Sequence, residues 1–362
     1  MRRLSVSILA GLVALSLVFV GACGEPSSTP TPTPTPTETP SATPAEPVVI
    51  KFADLSAPGS SRTKVMQWFC DEVESRTDGR VTFEIYWSSG LVKGKEMLDG
   101  VSSGLTDFGH LVAFYFPDDL PVSNVAAMPF LTGDVYAMLH ANKDLFDHPA
   151  LVEEQERHNM KYLLAAGAPS YNLFMTDGFV KNLEDLQGKR IRSFGAFAKA
   201  LTMLGATTLS IDTGETYDAL VRGVADGAMN SVYGGLAHKW NEPASYLTIA
   251  QIGCLGAVYD AINLDTWNKI SPEDQAIIEE VADEFTDRLA QSYQDEYATN
   301  LDEIKAAGGS VYDLPPDEVK RWQAAAAPIH EEWVSLWEEK GYPASEVYDE
   351  FMRLIKKYET EH

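Results

Sequence analysis

Two segments of this chain repeat one order of secondary structure, and this repeat limits the folds that the chain can adopt. Residues 48–110 and 189–230 each have the pattern of strand, helix, strand, helix and strand. Each segment closes on related residues, V-S-S-G-L-T-D at 101–107 and L-V-R-G-V-A-D at 220–226, in which glycine suits a left-handed helix end. The repeat predicts an α/β fold with two similar lobes facing a cleft, although α/β proteins without such lobes also repeat these units.

A basic residue stands at the predicted ligand-binding edge of the second segment. Arg192 lies at the end of the strand 189–193, and ligands of open α/β sheets bind at the carboxyl ends of the strands. Because a guanidinium can hold a carboxylate by two parallel hydrogen bonds, Arg192 is a candidate clamp for an organic acid. The alternative is an ion pair with a surface carboxylate. Arg190, near the start of the same strand, is expected to be solvated.

Charge and motifs exclude several classes of protein. The net charge of −25 argues against a nucleic-acid partner, because no basic face is available to neutralise phosphates. The sequence lacks the HExxH and CxxC metal patterns, a G-x-S-x-G elbow and a Walker loop, so it predicts no metal site and no cofactor. Scattered Ser, His and Asp residues of a hydrolase stay open as an alternative. His110 either lines a cleft or caps and packs locally.

The N-terminus has the pattern of a bacterial lipoprotein signal. Residues 1–22 contain a positive start and a short apolar run, and Val20-Gly21-Ala22-Cys23 resembles the lipoprotein processing box. Cys23 is therefore predicted to carry the lipid, which would anchor the protein outside the cytoplasm. The alternatives are an uncleaved anchor or plain secretion. Residues 23–47, rich in Thr and Pro, are predicted to form an extended linker.

The remaining sequence signals concern packing. Cys70 and Cys254 lie in apolar surroundings, which favours two buried thiols over a disulfide bond. Residues 272–306 are predicted to form one long helix that bridges both lobes, with Ser271 as its N-cap; two helices with a kink are the alternative. Two further helices are expected at 317–340 and 345–358.

Taken together, these segments resemble the solute-binding receptors of TRAP (tripartite ATP-independent periplasmic) transporters, the DctP-like family. The resemblance runs from about residue 50 to 278 and keeps the family's order of segments. They include KFADLSAPGSS, KGKEMLDGVSSGLTDFG, LEDLQGKRIRSF, LGATTLSIDTGETYDALVRGVADGAMNS and NLDTWNKISPEDQ. It implies a two-lobed periplasmic-binding-protein fold of a type II-like kind. It also implies a receptor without enzymatic activity that delivers its ligand to a membrane permease.

The resemblance also assigns roles to residues. Arg192 matches the arginine that pairs with the ligand's carboxylate, Asn230 the asparagine after the D-G pair, and Glu215 the glutamate that opens the next helix. Relatives that bind sialic acid carry a further arginine where this chain has Tyr171-Asn172, which argues against a sugar-acid or dicarboxylate ligand. The pair Phe114-Tyr115 resembles an aromatic turn that lines the cleft. Further candidate walls of the cleft are Phe174, Phe194, Tyr233 and Trp87.

From this resemblance the lobes are expected at 48–169 plus 258–297 and at 170–257 plus 298–362. The expected ligand is a keto, hydroxy or aromatic monocarboxylate, because no second basic residue is evident beside Arg192 in the sequence. The protein is expected to be a monomer. A receptor for a different importer or a sensor, and a secreted enzyme, are the alternatives.

Overall fold

The computed structural model describes residues 47–361, which form an α/β fold with two β-sheets. The predicted signal peptide, Cys23 and the linker up to residue 46 lie outside the described residues. The strands of the described part are β1 Val48–Ala53, β2 Val81–Tyr86, β3 Phe108–Val112, β4 Met160–Ala165, β5 Tyr171–Met175, β6 Arg190–Arg192, β7 Thr207–Leu209, β8 Gly227–Ser231, β9 Tyr246–Ile249, β10 Val258–Asn263 and β11 Ser310–Asp313.

Helices cover the faces of these sheets. They are α1 Ser61–Arg76, α2 Met97–Ser102, α3 Val135–Leu145, α4 Pro149–Arg157, α5 Leu183–Leu186, α6 Gly195–Met203, α7 Thr213–Val221, α8 Val232–Ala237, α9 Leu264–Trp267, α10 Pro272–Ala306, α11 Pro316–Ala326, α12 Pro328–Glu339 and α13 Ala344–Glu361. Short 3-10 turns at 94–96, 113–115 and 123–127 complete the regular structure.

The first sheet has the strand order β2-β1-β3-β10-β4. Strands β2, β1 and β3 are parallel, so their carboxyl ends share one edge, and β10 runs antiparallel between β3 and β4. The apolar stripe of α1 packs on this sheet: Met66, Phe69 and Val73 are fully buried. The Ser60 hydroxyl caps this helix by accepting a hydrogen bond from the Thr63 amide at 3.2 Å.

The second sheet has the order β11-β9-β5-β8-β6-β7. Here β6 is parallel to both β7 and β8, whereas β5 is antiparallel to β8 and β9. Arg192, the last residue of β6, therefore lies at the carboxyl edge of three parallel strands. The two repeated segments of the sequence supply the parallel strands of the two sheets, which confirms the predicted fold class.

One continuous helix joins the two sheets. Helix α10 has 35 residues, about 50 Å at 1.5 Å per residue, so the kinked alternative is wrong. Its N-cap Ser271 accepts a hydrogen bond from the Asp274 amide at 3.1 Å, and Pro272 occupies the first turn. Because α10 packs against α1 beside the first sheet and α8 beside the second, it bridges the two as predicted.

The C-terminal helices contact elements of both sheets. Helices α11 and α12 pack on α6, which follows the second-sheet strand β6, whereas α13 packs on α3, which precedes the first-sheet strand β4. Residues 298–362, which the sequence assigned to the second lobe, thus also contact a helix beside the first sheet. The lobe boundaries stay a prediction. Cys70 and Cys254 are buried free thiols, as expected.

Candidate functional site

Arg192 is held by the loop that follows β7. Its Nε donates a hydrogen bond to the Ile211 carbonyl at 2.9 Å, and its Nη2 donates to the Thr213 hydroxyl at 2.9 Å. Only 7% of the residue is exposed. These two bonds use one side of the guanidinium, so the remaining N–H groups are free to bind another acceptor.

The charge of Arg192 is not balanced by a neighbouring acid. Within residues 47–361 no carboxylate lies within 4 Å of its guanidinium, whereas Arg190 on the same strand bonds Asp226. Burial lowers the pKa of Arg192, and the opposing influence of Tyr171, Asp212 and Tyr115 does not reverse this. A desolvated cation without a countercharge is costly, and a bound anion would offset that cost.

Two aromatic rings lie against the guanidinium. Its carbon lies 5.6 Å from the ring centroid of Phe194 and 5.3 Å from that of Trp240, distances typical of cation–π contacts. Trp240, which is fully buried after α8, is not among the residues that the sequence predicts for the site. No local signal marked it, because its position beside Arg192 depends on how α8 folds back over the sheet.

Two tyrosines lie close enough to the guanidinium to act on its charge. Tyr171 begins β5, and its ring centroid lies 5.8 Å from that of Phe194. Burial raises the pKa of Tyr171 and of Tyr115, so both hydroxyls stay protonated and able to donate, and the charge of Arg192 acts on each. No hydrogen bond to either hydroxyl is formed by residues 47–361. Both are therefore available to a ligand's oxygen.

An aromatic contact joins the carboxyl edges of the two sheets. The ring of Phe114, just after β3, stacks on that of Phe194, just after β6, with centroids 5.2 Å apart and planes at 22°. Phe114 also contacts Tyr115 edge-on at 5.0 Å. The site around Arg192 thus has walls from both halves of the chain, as a cleft between two lobes requires.

The two predicted asparagines face each other across β5 and β8. The Asn172 Oδ1 accepts hydrogen bonds from the amides of Ala250 and Gln251, and its Nδ2 donates to the Ser170 carbonyl. This amide therefore holds a segment that crosses between the sheets. Asn230 accepts a bond from the Ser231 amide at 2.9 Å and keeps its own N–H groups unbonded within the described part of the chain.

The other predicted residues make no hydrogen bond, ion pair or ring contact with Arg192 within residues 47–361. Phe174 is fully buried under α8, Trp87 packs on Phe52 at 6.3 Å, and Glu215 is exposed in the first turn of α7. Tyr233 lines a separate cavity of about 370 Å³ between α3, α8 and α10, which does not include Arg192. No contact in the structure tests their assignment to the ligand site, which stays a prediction.

A second buried arginine differs from Arg192 in its surroundings. Arg62 at the start of α1 is also 7% exposed, but it bonds Asp54, and its Nη1 lies 3.8 Å from Asp260 Oδ2. Asp260 also bonds His110 Nδ1 at 2.7 Å. Although burial acts to lower it, the pKa of Arg62 is raised, because the carboxylates of Asp54 and Asp260 outweigh desolvation. This group is internally paired and lies beside the first sheet.

Within 47–361 no three His, Cys, Asp or Glu side chains come together in a way that would hold a metal ion. In the same part of the chain, none of the helices combines the length and apolar character that crossing a membrane demands.

Known proteins share this fold and resemble this sequence over most of its length. The C4-dicarboxylate-binding periplasmic protein DctP of Rhodobacter capsulatus is 26% identical over 292 residues, 80% of this chain and 87% of that protein. A TRAP periplasmic solute-binding protein from Desulfovibrio salexigens superposes with a TM-score of 0.77 at 24% identity, covering 87% of this chain and 98% of that one. A TRAP solute-binding protein from Rhodoferax ferrireducens, solved with copurified benzoate, gives 0.75 at 21% identity, covering 86% and 99%.

A family model agrees with these likenesses and spans most of the chain. The model for the bacterial extracellular solute-binding protein family 7, DctP, matches residues 52–336. The matched range contains the second sheet, Arg192, the bridging helix and the first sheet apart from the start of β1. The resemblance to TRAP receptors seen in the sequence is thereby confirmed: the chain belongs to the bacterial extracellular solute-binding protein family 7.

Proposed function

We propose that this protein is the receptor of a TRAP importer and that it captures a small organic acid by clamping one carboxylate on Arg192. The observation that carries the proposal is a buried guanidinium with unused N–H groups and no carboxylate within 4 Å among residues 47–361. A ligand carboxylate would supply the missing countercharge through charge-assisted hydrogen bonds. The loaded receptor would then dock on the membrane permease.

The surroundings of Arg192 favour a ligand with a single carboxylate. The other two arginines considered above are already paired, Arg190 with Asp226 and Arg62 with Asp54. A second carboxylate would have to be desolvated without such a partner, and the strongly acidic chain would repel it. This distinguishes the proposed ligand from a C4-dicarboxylate.

The walls of the site favour a flat or apolar body. Phe114, Phe194, Tyr171 and Trp240 present rings around the guanidinium. Rings bury large apolar areas and accept offset stacking by another ring. We therefore propose a keto, hydroxy or aromatic monocarboxylate. The family consists of solute-binding proteins, which favours transport over the enzymatic alternative.

The proposal is tested by identifying what the protein binds. Mass spectrometry of small molecules that copurify with it, followed by a thermal-shift panel, should rank monocarboxylates such as benzoate and pyruvate above succinate and malate. Calorimetry on Arg192→Lys should then show at least about tenfold weaker binding, because lysine lacks the planar fork.

The matched control is Arg190→Lys, a substitution on the same strand at an arginine already bonded to Asp226. This variant should bind like the wild type. If Arg192→Lys bound the ligand within about threefold of the wild type, the loss of binding free energy would be below about 1 kcal/mol and the clamp would be refuted. If no acid bound the wild type, the receptor function itself would be refuted.

A further inference from the structure

Trp240 lies beside Arg192, and packing alone does not explain its presence there. It follows α8, is fully buried, and belongs to a small apolar cluster beside the second sheet that also contains Phe174 and Leu247. A tryptophan in such a cluster normally fills the core. Two features of Trp240, the state of its indole N–H group and its contact with Arg192, differ from those of a residue that only fills the core.

The indole N–H group of Trp240 has no hydrogen-bond partner. Its Nε1 is buried, and no acceptor bonds it within residues 47–361. Buried tryptophans usually find an acceptor, as Trp322 does at the Glu318 carboxylate 3.2 Å away. Because a buried donor without an acceptor lowers stability, a phenylalanine would fill this part of the core more favourably. The tryptophan at this position therefore indicates a second role.

The ring of Trp240 lies against a cation. The guanidinium carbon of Arg192 is 5.3 Å from its ring centroid, and the indole is the ring that attracts cations most strongly. The imidazole of His238 packs on the same indole, with ring centroids 5.8 Å apart and planes at 30°. The indole thus has neighbours that hold its ring in place beside the guanidinium.

A ring can balance a buried arginine in a way that leaves it able to bind an acid. The equally buried Arg62 is balanced by the carboxylate of Asp54, and Arg190 by that of Asp226. A carboxylate takes up guanidinium N–H groups and would compete with an acidic ligand. The face of Trp240 attracts the charge of Arg192 through its quadrupole and takes up none of the strong hydrogen bonds that a ligand needs.

The ring also restricts where the guanidinium lies before a ligand arrives. Two hydrogen bonds of 2.9 Å, to the Ile211 carbonyl and the Thr213 hydroxyl, fix one side of the Arg192 side chain. Trp240 adds a contact at the guanidinium carbon. An arginine has many rotamers, and binding is tighter when they are already restricted in the free protein.

We infer that Trp240 is a positioning residue for the carboxylate clamp, which acts through Arg192 and is itself buried away from the ligand. The inference rests on the proposed function and deepens it, since it takes the clamp as given. A side chain without a ring at this position should weaken binding of the acid about tenfold. A benzene ring, which keeps the contact with the cation, should retain most of the affinity.

Calorimetry with benzoate, 3-hydroxybenzoate and pyruvate tests the role, together with thermal unfolding of the ligand-free proteins. For the acid that binds most tightly, Trp240→Leu should bind about tenfold more weakly than the wild type, and Trp240→Phe within about threefold. A residue that only filled the core would lower the Tm and leave the affinity of the folded protein unchanged in both variants. If Trp240→Leu does not fold by circular dichroism, Trp240→Met replaces it, because methionine fills the space without a ring.

The matched control is Trp267→Leu. Trp267 is also a buried tryptophan beside a cation, since the Lys161 Nζ lies 5.6 Å from its ring centroid. It follows β10, whose end pairs with the start of β3, so it lies at the opposite edge of the first sheet from the one that meets Phe194. This variant should lose stability and keep the affinity of the wild type within about threefold.

Three results would each overturn the positioning role: binding by Trp240→Leu within about threefold of the wild type, an equal loss in Trp240→Phe, or an equal loss in Trp267→Leu. The proposed function would survive them, provided that Arg192→Lys still weakened binding. Failure of all three acids to bind the wild type would overturn the clamp and the positioning role together.

Discussion

The two buried arginines should respond in opposite ways to the same substitution. Arg192 and Arg62 are each 7% exposed, but only Arg62 has carboxylate partners. We predict that Arg192→Met stabilises the ligand-free protein while it abolishes binding of the acid. We predict that Arg62→Met destabilises the protein, because it leaves the buried carboxylates of Asp54 and Asp260 without their arginine partner.

The magnitude for Arg192 follows from its contacts. Burying an ion costs several kcal/mol after relaxation. Against this stand two hydrogen bonds of about 1.5–3 kcal/mol each and two ring contacts of about 0.5–1 kcal/mol each. These terms nearly cancel. The lowered pKa of Arg192 indicates that the folded protein disfavours the charged form, so we expect the free energy of unfolding to rise when the charge is removed.

Methionine removes the cost of burying the charge and still packs against Phe194 and Trp240. Water can replace the lost bonds at Ile211 and Thr213, which are only half-buried. We expect a gain of about 1 kcal/mol, or a rise in Tm of about 2 °C for a domain of this size. For Arg62→Met we expect a loss of about 3–5 kcal/mol.

Urea and thermal unfolding of the ligand-free proteins, followed by circular dichroism, measure both effects, and a thermal-shift assay with the identified ligand measures binding. A loss of more than about 1 kcal/mol in Arg192→Met, evident as a fall in Tm, would refute the argument that its charge is uncompensated. A Tm of Arg62→Met equal to that of the wild type would refute the pairing argument for Arg62.

Three further predictions concern other parts of the chain. Burial raises the pKa of Glu154 from 4.5 to about 7, so between these pH values the folded state binds more protons than the unfolded state. The free energy of unfolding should therefore fall as the pH rises from about 4.5 to 7. Urea unfolding of Glu154→Gln should show a weaker dependence of this free energy on pH. Cys70 and Cys254 should be unbridged, so the intact mass should not change on reduction. Cys23→Ala should move the protein from the membrane fraction to the soluble fraction; an unmodified Cys23 thiol at the mature N-terminus of the wild type would contradict lipidation.

Local sequence signals predicted the fold well and the site only in part. Helix α10 was predictable because Ser271 and Pro272 mark its start within the chain itself. Arg192 was predictable because a strand end defines its place. Trp240 was not, since its position beside Arg192 depends on which segments the fold brings together. Asn172 stays a predicted ligand contact; its amide also bonds the crossing segment, which strand periodicity does not show.

The place of β10 in the first sheet has a consequence for how the chain is made. This strand lies between β3 and β4, although it follows β4 by almost a hundred residues and the whole second sheet intervenes. Until residues 258–263 have been synthesised, β3 and β4 have no strand to join them, and closing so long a loop is slow. The first sheet therefore cannot complete its core until residues 258–263 have been made. If residues 1–22 act as a secretion leader, as the sequence predicts, the chain would enter the secretion channel incompletely folded. A narrow channel can pass a chain in that form.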